Sequence, residues 1–186
     1  MRRLILIVHT SLDGFVAGVK GELDGFEPGE ENLQFVCRIT ETADAALFGR
    51  VSYELLNHYW PTAKDKPNAT TGEIAYSNWY NKATKIVLSK TLPNAGAADT
   101  VIITDNVQQK VDNIKRQPGK DILVFGSPTA FRSIIQLVDD YWIFINPVLF
   151  GSGIPLFSGM ADKIKLVLSE TKQFSNGEIA LHYTVS

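Results

Sequence analysis

Residues 121–128, DILVFGSP, decide the fold class. The four apolar residues in this stretch predict a strand that is buried on both faces, as in a parallel sheet covered by helices. Gly126 and Ser127 then turn the chain, and Pro128 stands at the first position of a helix, where proline is favoured. The stretch therefore predicts a strand that leads directly into a helix, which is the repeating unit of α/β folds.

The same junction occurs at residues 45–50, AALFGR, where a short buried strand ends at Gly49 and a helix follows. Along the chain the pattern reads β, loop, α, β, α, α, β, β, α, β, α, β, and it closes on a hairpin around Asn176-Gly177. Strands that alternate with helices pair in parallel. We therefore predict an α/β fold with a mixed, mostly parallel sheet flanked by helices and a C-terminal antiparallel hairpin.

Two segments carry more specific expectations. Residues 18–30 are rich in glycine and acidic residues, a composition typical of a mobile surface loop. A helix over about 50–58 is followed by a loop over residues 61–70. This helix has three large apolar side chains on one face, namely Val51, Leu55 and Tyr59.

Length and composition exclude several classes of protein. The 186 residues have an ordinary globular composition and predict one domain over residues 1–186. A net charge of −2 argues against a dedicated nucleic-acid binder. The single cysteine, Cys37, excludes an internal disulfide and is expected to be an inert core residue. The apolar run at residues 4–8 is too short for a signal peptide or a membrane span, so we expect a cytoplasmic protein.

The sequence lacks the motifs of several common enzyme classes. It has no Gly-x-Ser-x-Gly motif of a serine hydrolase, and only His9, His58 and His182 could act as a base. No two of these histidines have a metal-ligand spacing, so no metal site is predicted. The chain has no P-loop motif, and Gly151-x-Gly153 lacks the third glycine of a Rossmann fingerprint.

The two strand-to-helix corners at Gly49 and Gly126 are the strongest functional signal. The first N–H groups of a helix are free there, the helix dipole favours an anion, and glycine lets a phosphate approach the backbone. Arg50 adds a cation suited to phosphate. Residues 89–91, SKT, follow a third strand, and ligands of open α/β sheets collect at the carboxyl ends of strands. Together the three segments would suit a pyrophosphate and a second phosphate, whereas the alternative is that both glycines merely make tight turns.

Seven motifs, in order along the chain, resemble the dihydrofolate-reductase-like superfamily. The similarity is greatest to the C-terminal reductase domain of riboflavin biosynthesis and its stand-alone bacterial relatives, and it covers essentially the whole chain. The motifs are residues 11–17 (SLDGFVA), 47–54 (LFGRVSYE), 59–61 (YWP), 85–92 (KIVLSKTL), 122–128 (ILVFGSP), 137–141 (LVDDY) and 147–157 (PVLFGSGIPLF).

The resemblance implies an eight-stranded mixed sheet, NADPH as the hydride donor and a homodimer. The cofactor phosphates would meet Gly49, Arg50 and Ser52. The 2′-phosphate would meet Ser89, Lys90 and Thr91. The pyrophosphate and ribose would be wrapped by Gly126, Ser127, Pro128 and Thr129. The nicotinamide and substrate would lie near Asp13 and Gly14, and the substrate pocket would be walled by Tyr53 and Trp60.

The sequence departs from the family pattern at two positions. Dihydrofolate reductases carry an acid in the first long helix, where this chain has Asn32 with Glu31 beside it. Riboflavin reductases usually carry Glu-Gly-Gly at the late corner, where this chain has residues 125–127, FGS. The acid expected to bind the sugar of the substrate is therefore replaced.

Several residues allow two interpretations. Asp13 is either a substrate-orienting acid or the former of a turn before Gly14. Arg50 binds phosphate or pairs with Glu54 one turn along the helix. Glu31 favours the dipole of its helix or relays a proton. Tyr53 and Trp60 either wall a substrate pocket, fill the core or lie on a dimer surface.

Three functional hypotheses follow. The first is an NADPH-dependent reductase of a small heterocyclic or ribosyl-bearing substrate, with 5-amino-6-(5-phosphoribosylamino)uracil as the default. The second is a dihydrofolate reductase. The third is a non-catalytic NADP-binding or sensor protein, which would bind the cofactor without turnover.

Overall fold

A computed structural model describes residues 1–92, 99–160 and 162–186. The elements, in chain order, are β1 (Leu4–Ser11), β2 (Phe15–Ala17), α1 (Glu30–Thr40), β3 (Ala43–Gly49), α2 (Arg50–Ala63), α3 (Thr71–Lys82), β4 (Thr84–Leu88), β5 (Thr100–Ile103), α4 (Val107–Arg116), β6 (Asp121–Phe125), α5 (Pro128–Ile134), β7 (Asp140–Asn146), β8 (Ile154–Pro155), β9 (Leu166–Gln173) and β10 (Ile179–Val185).

Eight strands form one sheet in the order β5-β4-β3-β6-β1-β7-β10-β9. The six strands from β5 to β7 in this order run parallel, and the β9–β10 hairpin is antiparallel to β7 at one edge. This arrangement confirms the predicted mixed, mostly parallel sheet with a C-terminal antiparallel hairpin. A separate pair, β2 with β8, joins the segments that follow β1 and β7.

Helices cover both faces of the sheet, which explains why the central strands are apolar on both sides. Helices α1, α2 and α3 pack on one face over an aromatic core that includes Phe48 and Phe125. Helices α4 and α5 pack on the other face over a mainly aliphatic core that includes Leu4, Leu47 and Phe131. Both cores lie against β1, β3 and β6, so these strands are buried from two sides.

Helix α2 corrects two predictions. It continues through Pro61 to Ala63, so the loop predicted from residue 61 begins three residues later. The face with Val51, Leu55 and Tyr59 is exposed to 64%, 55% and 36% respectively. The inward face is instead formed by side chains that pack on Phe48 and on α3, namely Tyr53, Leu56 and Trp60. Tertiary packing against α3 therefore selected a different stripe from the one that periodicity favoured.

The segment between β2 and α1, predicted as a mobile surface loop, is folded into turns that pack against a second loop. The N–H of Gly21 donates to the Gly18 carbonyl, and Phe26 stacks on Phe150 with 5.1 Å between ring centroids. A side chain at Gly25 would overlap the Phe150 ring, so glycine allows this approach. Within the described residues, no helix is long and apolar enough to cross a membrane.

Candidate functional site

Three strand ends lie level at one edge of the sheet. Gly49 at the end of β3 pairs with Leu88 at the end of β4, and Phe48 pairs with Phe125 at the end of β6. Because the strands are parallel, the segments that follow them leave the sheet side by side. The expectation that the two glycine corners and residues 89–91 share the carboxyl edge is confirmed.

The two glycine corners are interlocked. A Cβ at Gly49 would lie 2.2 Å from the Ser127 hydroxyl oxygen, and a Cβ at Gly126 would lie 2.9 Å from that of Ser52. Each glycine therefore faces a serine of the other corner. This contact gives both glycines a packing reason, and it also brings two hydroxyl groups together at the starts of α2 and α5.

The start of α2 is open to an anion. Among the described residues, no side chain caps this helix, and its first turn contains no acid. By contrast, α3 begins with a complete capping box between Thr70 and Glu73. Free N–H groups at the start of a fourteen-residue helix, with a positive dipole end, favour an anionic ligand.

Arg50 lies at the first position of α2, and its guanidinium pairs with Glu54 at 2.7 Å. Both side chains are more than 40% exposed. An exposed i,i+4 pair of this kind contributes only about 0.3–0.5 kcal/mol. The structure therefore contains the predicted pair of Arg50 with Glu54. Because this pair is weak, Arg50 remains able to exchange Glu54 for a phosphate.

The start of α5 has an unusual backbone. Gly126 and Ser127 both have positive φ angles, 55° and 48°. The Ser127 hydroxyl accepts a hydrogen bond from the Ala130 N–H at 3.5 Å, and Pro128 takes the first turn as predicted. Thr129 is exposed beside them. The corner thus presents polar groups outward from a backbone conformation that residues other than glycine rarely adopt.

Residues 89–91 form a hydrogen-bonded turn. The Ser89 hydroxyl accepts the N–H groups of Thr91 at 3.1 Å and of Leu92 at 2.9 Å. Ser89 therefore shapes the turn, and it leaves Lys90 and Thr91 exposed at the carboxyl edge.

Asp13 ties two loops together. Its carboxylate accepts the Ser11 hydroxyl at 2.6 Å and the N–H groups of Phe150 and Gly151 at 3.1 and 2.7 Å. The Ser11 hydroxyl and then these two N–H groups hold the pKa of Asp13 below its ordinary value. Gly14 follows with φ 85°. The turn before Gly14 is closed by other groups, because the Gly14 N–H donates to the Ser11 carbonyl at 3.0 Å and the Phe15 N–H to the Ser11 hydroxyl at 3.0 Å. The Asp13 carboxylate instead connects this turn to the segment after β7.

Glu31 joins α1 to the β9–β10 hairpin. Its carboxylate contacts Lys172 at 2.8 Å and accepts the Ser175 N–H at 3.0 Å. The hydrogen bond from Lys172, followed by that from Ser175, lowers the pKa of Glu31 to about 2. The structure therefore gives this acid its partners on the hairpin.

The two candidate pocket aromatics contribute to the core. Tyr53 is buried against Phe48, and Trp60 packs on Tyr76 of α3 with ring centroids 4.2 Å apart. Of the interpretations left open for Tyr53 and Trp60, these contacts favour the core.

Sequence reasoning missed a buried polar cluster at the same end of the sheet. Glu178, just before β10, is fully buried. The Asn32 amide donates to its Oε2 at 2.6 Å, and Nδ1 of His9 lies 2.8 Å from its Oε1. A signal for this cluster exists in the alternation of β10, because Glu178 has the same parity as the buried Ala180.

The chain is similar to known proteins over its whole length. The family described as the RibD C-terminal domain matches residues 2–180. The protein YyaP of Bacillus subtilis (strain 168) is 33% identical, with 98% of this chain and 94% of YyaP covered. YwjB of the same organism is 25% identical, with 98% of this chain and 97% of YwjB covered.

Solved structures show the same fold. A putative riboflavin biosynthesis protein from Shewanella sp. PV-4 superposes with a TM-score of 0.71 at 20% identity, covering 100% of this chain and 99% of that one. Dihydrofolate reductase from Enterococcus faecalis superposes with a TM-score of 0.64 at 14% identity, covering 99% and 96%. With the family match over nearly all residues, these findings lead to one conclusion: the chain belongs to the RibD C-terminal domain family.

Proposed function

We propose that this protein is a reductase that uses NADPH to reduce a small heterocyclic, ribosyl-bearing substrate. The observation that carries the proposal is the pair of interlocked glycine corners at the carboxyl edge, beside the uncapped start of α2. The fold likeness supports it. A Thermotoga maritima structure with a TM-score of 0.69 at 15% identity has 57% of its length covered, and its description includes 5-amino-6-(5-phosphoribosylamino)uracil reductase.

The residues at this edge fit a dinucleotide with a further phosphate. Arg50, Ser52 and the start of α2 would hold phosphate, and Ser127 with Thr129 would contact the pyrophosphate and ribose. Lys90, exposed on the Ser89 turn, would neutralise the 2′-phosphate. The bound cofactor would supply the hydride, and the chain would bind and orient the two reactants and exclude water.

The same geometry disfavours dihydrofolate as the substrate. Asn32 occupies the region where dihydrofolate reductases carry an acid, and its amide is engaged with Glu178. Glu178 is itself fully buried, so its carboxylate has no surface with which to bind a pterin. The uracil-type substrate of the riboflavin branch is therefore the first to test.

The test is the melting temperature of the protein with NADPH, with NADH and without nucleotide. Ligand at about a hundred times its Kd adds roughly 2.7 kcal/mol, which raises the midpoint by about 5–10 °C in a chain of this size. Arg50→Ala should reduce the NADPH shift. The matched control is Arg116→Ala, which removes an exposed i,i+4 pair with Asp112 of the same kind in α4.

Three results would count against parts of the proposal. An unchanged midpoint with both nucleotides would remove the reductase function. An NADPH shift in Arg50→Ala as large as in wild type would remove the role of Arg50 at the cofactor phosphates. A shift without NADPH oxidation across a substrate panel would support the sensor protein instead.

A further inference from the structure

The cluster of His9, Asn32 and Glu178 has the composition of a proton-transfer site. We propose that His9 donates the proton in the reduction and that Glu178, held by Asn32, is its positioning residue. The proposal rests on the proposed function, and it names a catalytic side chain that neither the motifs nor the comparisons assign.

Strand register places His9 beside the late glycine corner. Ile7 of β1 pairs in parallel with Phe125, the last residue of β6, so His9, two residues further along β1, lies beyond the end of β6, where Gly126 and Ser127 turn the chain. Neighbouring strands are about 4.8 Å apart. The imidazole therefore stands at the carboxyl edge, on the strand next to the corner proposed to bind the cofactor.

Glu178 is an expensive residue to bury. A carboxylate removed from water is destabilising unless charge and hydrogen bonds compensate it. Its Oε2 has the Asn32 amide at 2.6 Å. Its Oε1 has only Nδ1 of His9, which approaches to 2.8 Å without the alignment of a hydrogen bond, and neither atom has another partner in the described part of the chain. If Glu178 had only a structural role, an apolar or amide side chain at this position would be less costly to bury.

The surroundings fix the orientation of the imidazole. Phe144 stacks on the His9 ring with 4.8 Å between centroids and 21° between planes. Phe144 is in turn packed by Phe35 and Phe174. With Nδ1 at 2.8 Å from Glu178, Nε2 is the nitrogen left to meet a ligand, and the side chain is 27% exposed. An acidic partner at one nitrogen and an accessible second nitrogen are the arrangement in which a carboxylate orients a catalytic histidine.

The chemistry limits the substrate to one with a polarised double bond, C=N or C=O. NADPH, when bound, would supply a hydride with its two electrons to that carbon and become NADP⁺, while the π pair of the double bond moves to the nitrogen or oxygen. Nε2 of His9 donates the proton to that atom. The neutral imidazole then regains a proton from solvent.

The chain offers a matched control for His9. His182 also stacks on an aromatic ring, that of Trp142, at 4.4 Å, and its Nε2 lies 3.0 Å from the buried Asp140. It packs on the same face of the sheet, because Trp142 belongs to the same core as Phe144. His182 lies at the opposite end of the strands from the carboxyl edge, however, because Asp140 and Trp142 are at the start of β7. A merely structural histidine–acid pair should therefore behave alike at both positions.

The kinetic experiment compares His9→Gln with His182→Gln on 5-amino-6-(5-phosphoribosylamino)uracil. His9→Gln should lower kcat by about a hundredfold or more, the usual contribution of a positioned acid, with the NADPH-induced melting shift retained. His182→Gln should keep kcat within about twofold of wild type. In His9→Gly, added imidazole should restore turnover in proportion to the imidazolium concentration as pH is varied. A His9→Gln enzyme with wild-type kcat, or no imidazolium dependence, would overturn the proposal.

A second measurement does not depend on turnover. In ¹⁵N-resolved NMR spectra, saturating NADP⁺ should shift the Nε2 resonance of His9 and leave that of His182 in place. Glu178→Gln should change the Nδ1 resonance of His9 in the free protein. If NADP⁺ raises the melting temperature but leaves the His9 signals unmoved, the role of His9 is wrong while the cofactor site stands. If NADP⁺ and NADPH do not bind, the proposed function has failed instead, and this role for His9 fails with it.

Discussion

Substitution of Gly49 by alanine separates the two explanations of the glycine corners. Gly49 has φ −78° and ψ 164°, which alanine adopts freely, so the backbone poses no obstacle. Replacing glycine at such a position contributes about 0.4–1 kcal/mol of stability through the unfolded chain. Against this, the new methyl group would lie 2.2 Å from the Ser127 hydroxyl oxygen and 2.7 Å from its Cβ.

These distances put the cost at the upper end of the range for overpacking, which is about 1–3 kcal/mol. After the gain in the unfolded chain is subtracted, Gly49→Ala should destabilise the protein by about 2 kcal/mol. The corresponding fall in melting temperature is about 4–8 °C. If the glycine served only to admit a phosphate, the ligand-free protein would keep its stability and lose only cofactor binding.

A second substitution makes the test internal to the molecule. Ser127→Gly removes both atoms in the way, and it also relieves a positive φ of 48° that costs a residue other than glycine about 1–2 kcal/mol. The loss of the hydrogen bond from the Ala130 N–H costs a few tenths of a kcal/mol. Alone, Ser127→Gly should be neutral or stabilising. Combined with Gly49→Ala, it should recover about 1.5–2 kcal/mol.

Urea denaturation followed by tryptophan fluorescence of the four proteins in this cycle gives the coupling free energy. Strict additivity, or a Gly49→Ala protein as stable as wild type, would refute the interlock reasoning.

Three other side chains allow direct tests. The Tyr141 hydroxyl is buried without a partner among the described residues, so Tyr141→Phe should stabilise the protein by about 1 kcal/mol in urea titrations; a loss of stability would contradict this. Because Lys172 lowers the pKa of Glu31 from 4.5 to about 2, the contribution of Glu31 is complete above pH 4.5 and disappears as pH falls through 2. The stability difference between wild type and Glu31→Gln should shrink over that range, and a constant difference would speak against the pairing. Burial raises the pKa of Cys37 to about 11, so iodoacetamide should react about a hundredfold more slowly than with the unfolded chain, a ratio that equal rates would exclude.

Sequence reasoning predicted the sheet because its signals are local. The apolar strands, the glycines that end them and the Asn176-Gly177 turn are each contained in a few residues. It predicted the carboxyl edge for the same reason, since parallel strands bring their following segments together without knowledge of the packing.

The failures lie where distant segments meet. Val51 and Leu55 of α2 have helical spacing, but their face is exposed. The face that is buried is the one on which α3 packs. Glu178 is 146 residues from Asn32, so the alternation of β10 can indicate an inward side chain but not the partner that it meets there. His9 stands in an apolar strand, where it was considered only as the base of a hydrolase. The site was therefore predictable where it rests on strand ends and unpredictable where it depends on contacts across the sheet.

The bonds between the loop after β1 and the loop after β7 have a consequence for how this family varies. Asp13 binds the N–H groups of Phe150 and Gly151, Phe26 stacks on Phe150, and β2 pairs with β8. The two loops thus form one continuous unit that is connected to the sheet at two places, the end of β1 and the end of β7. Because the two loops are bonded to each other along their length, an insertion in one of them should break contacts with the other unless the second loop changes as well. Insertions here should consequently come in pairs, one in each loop.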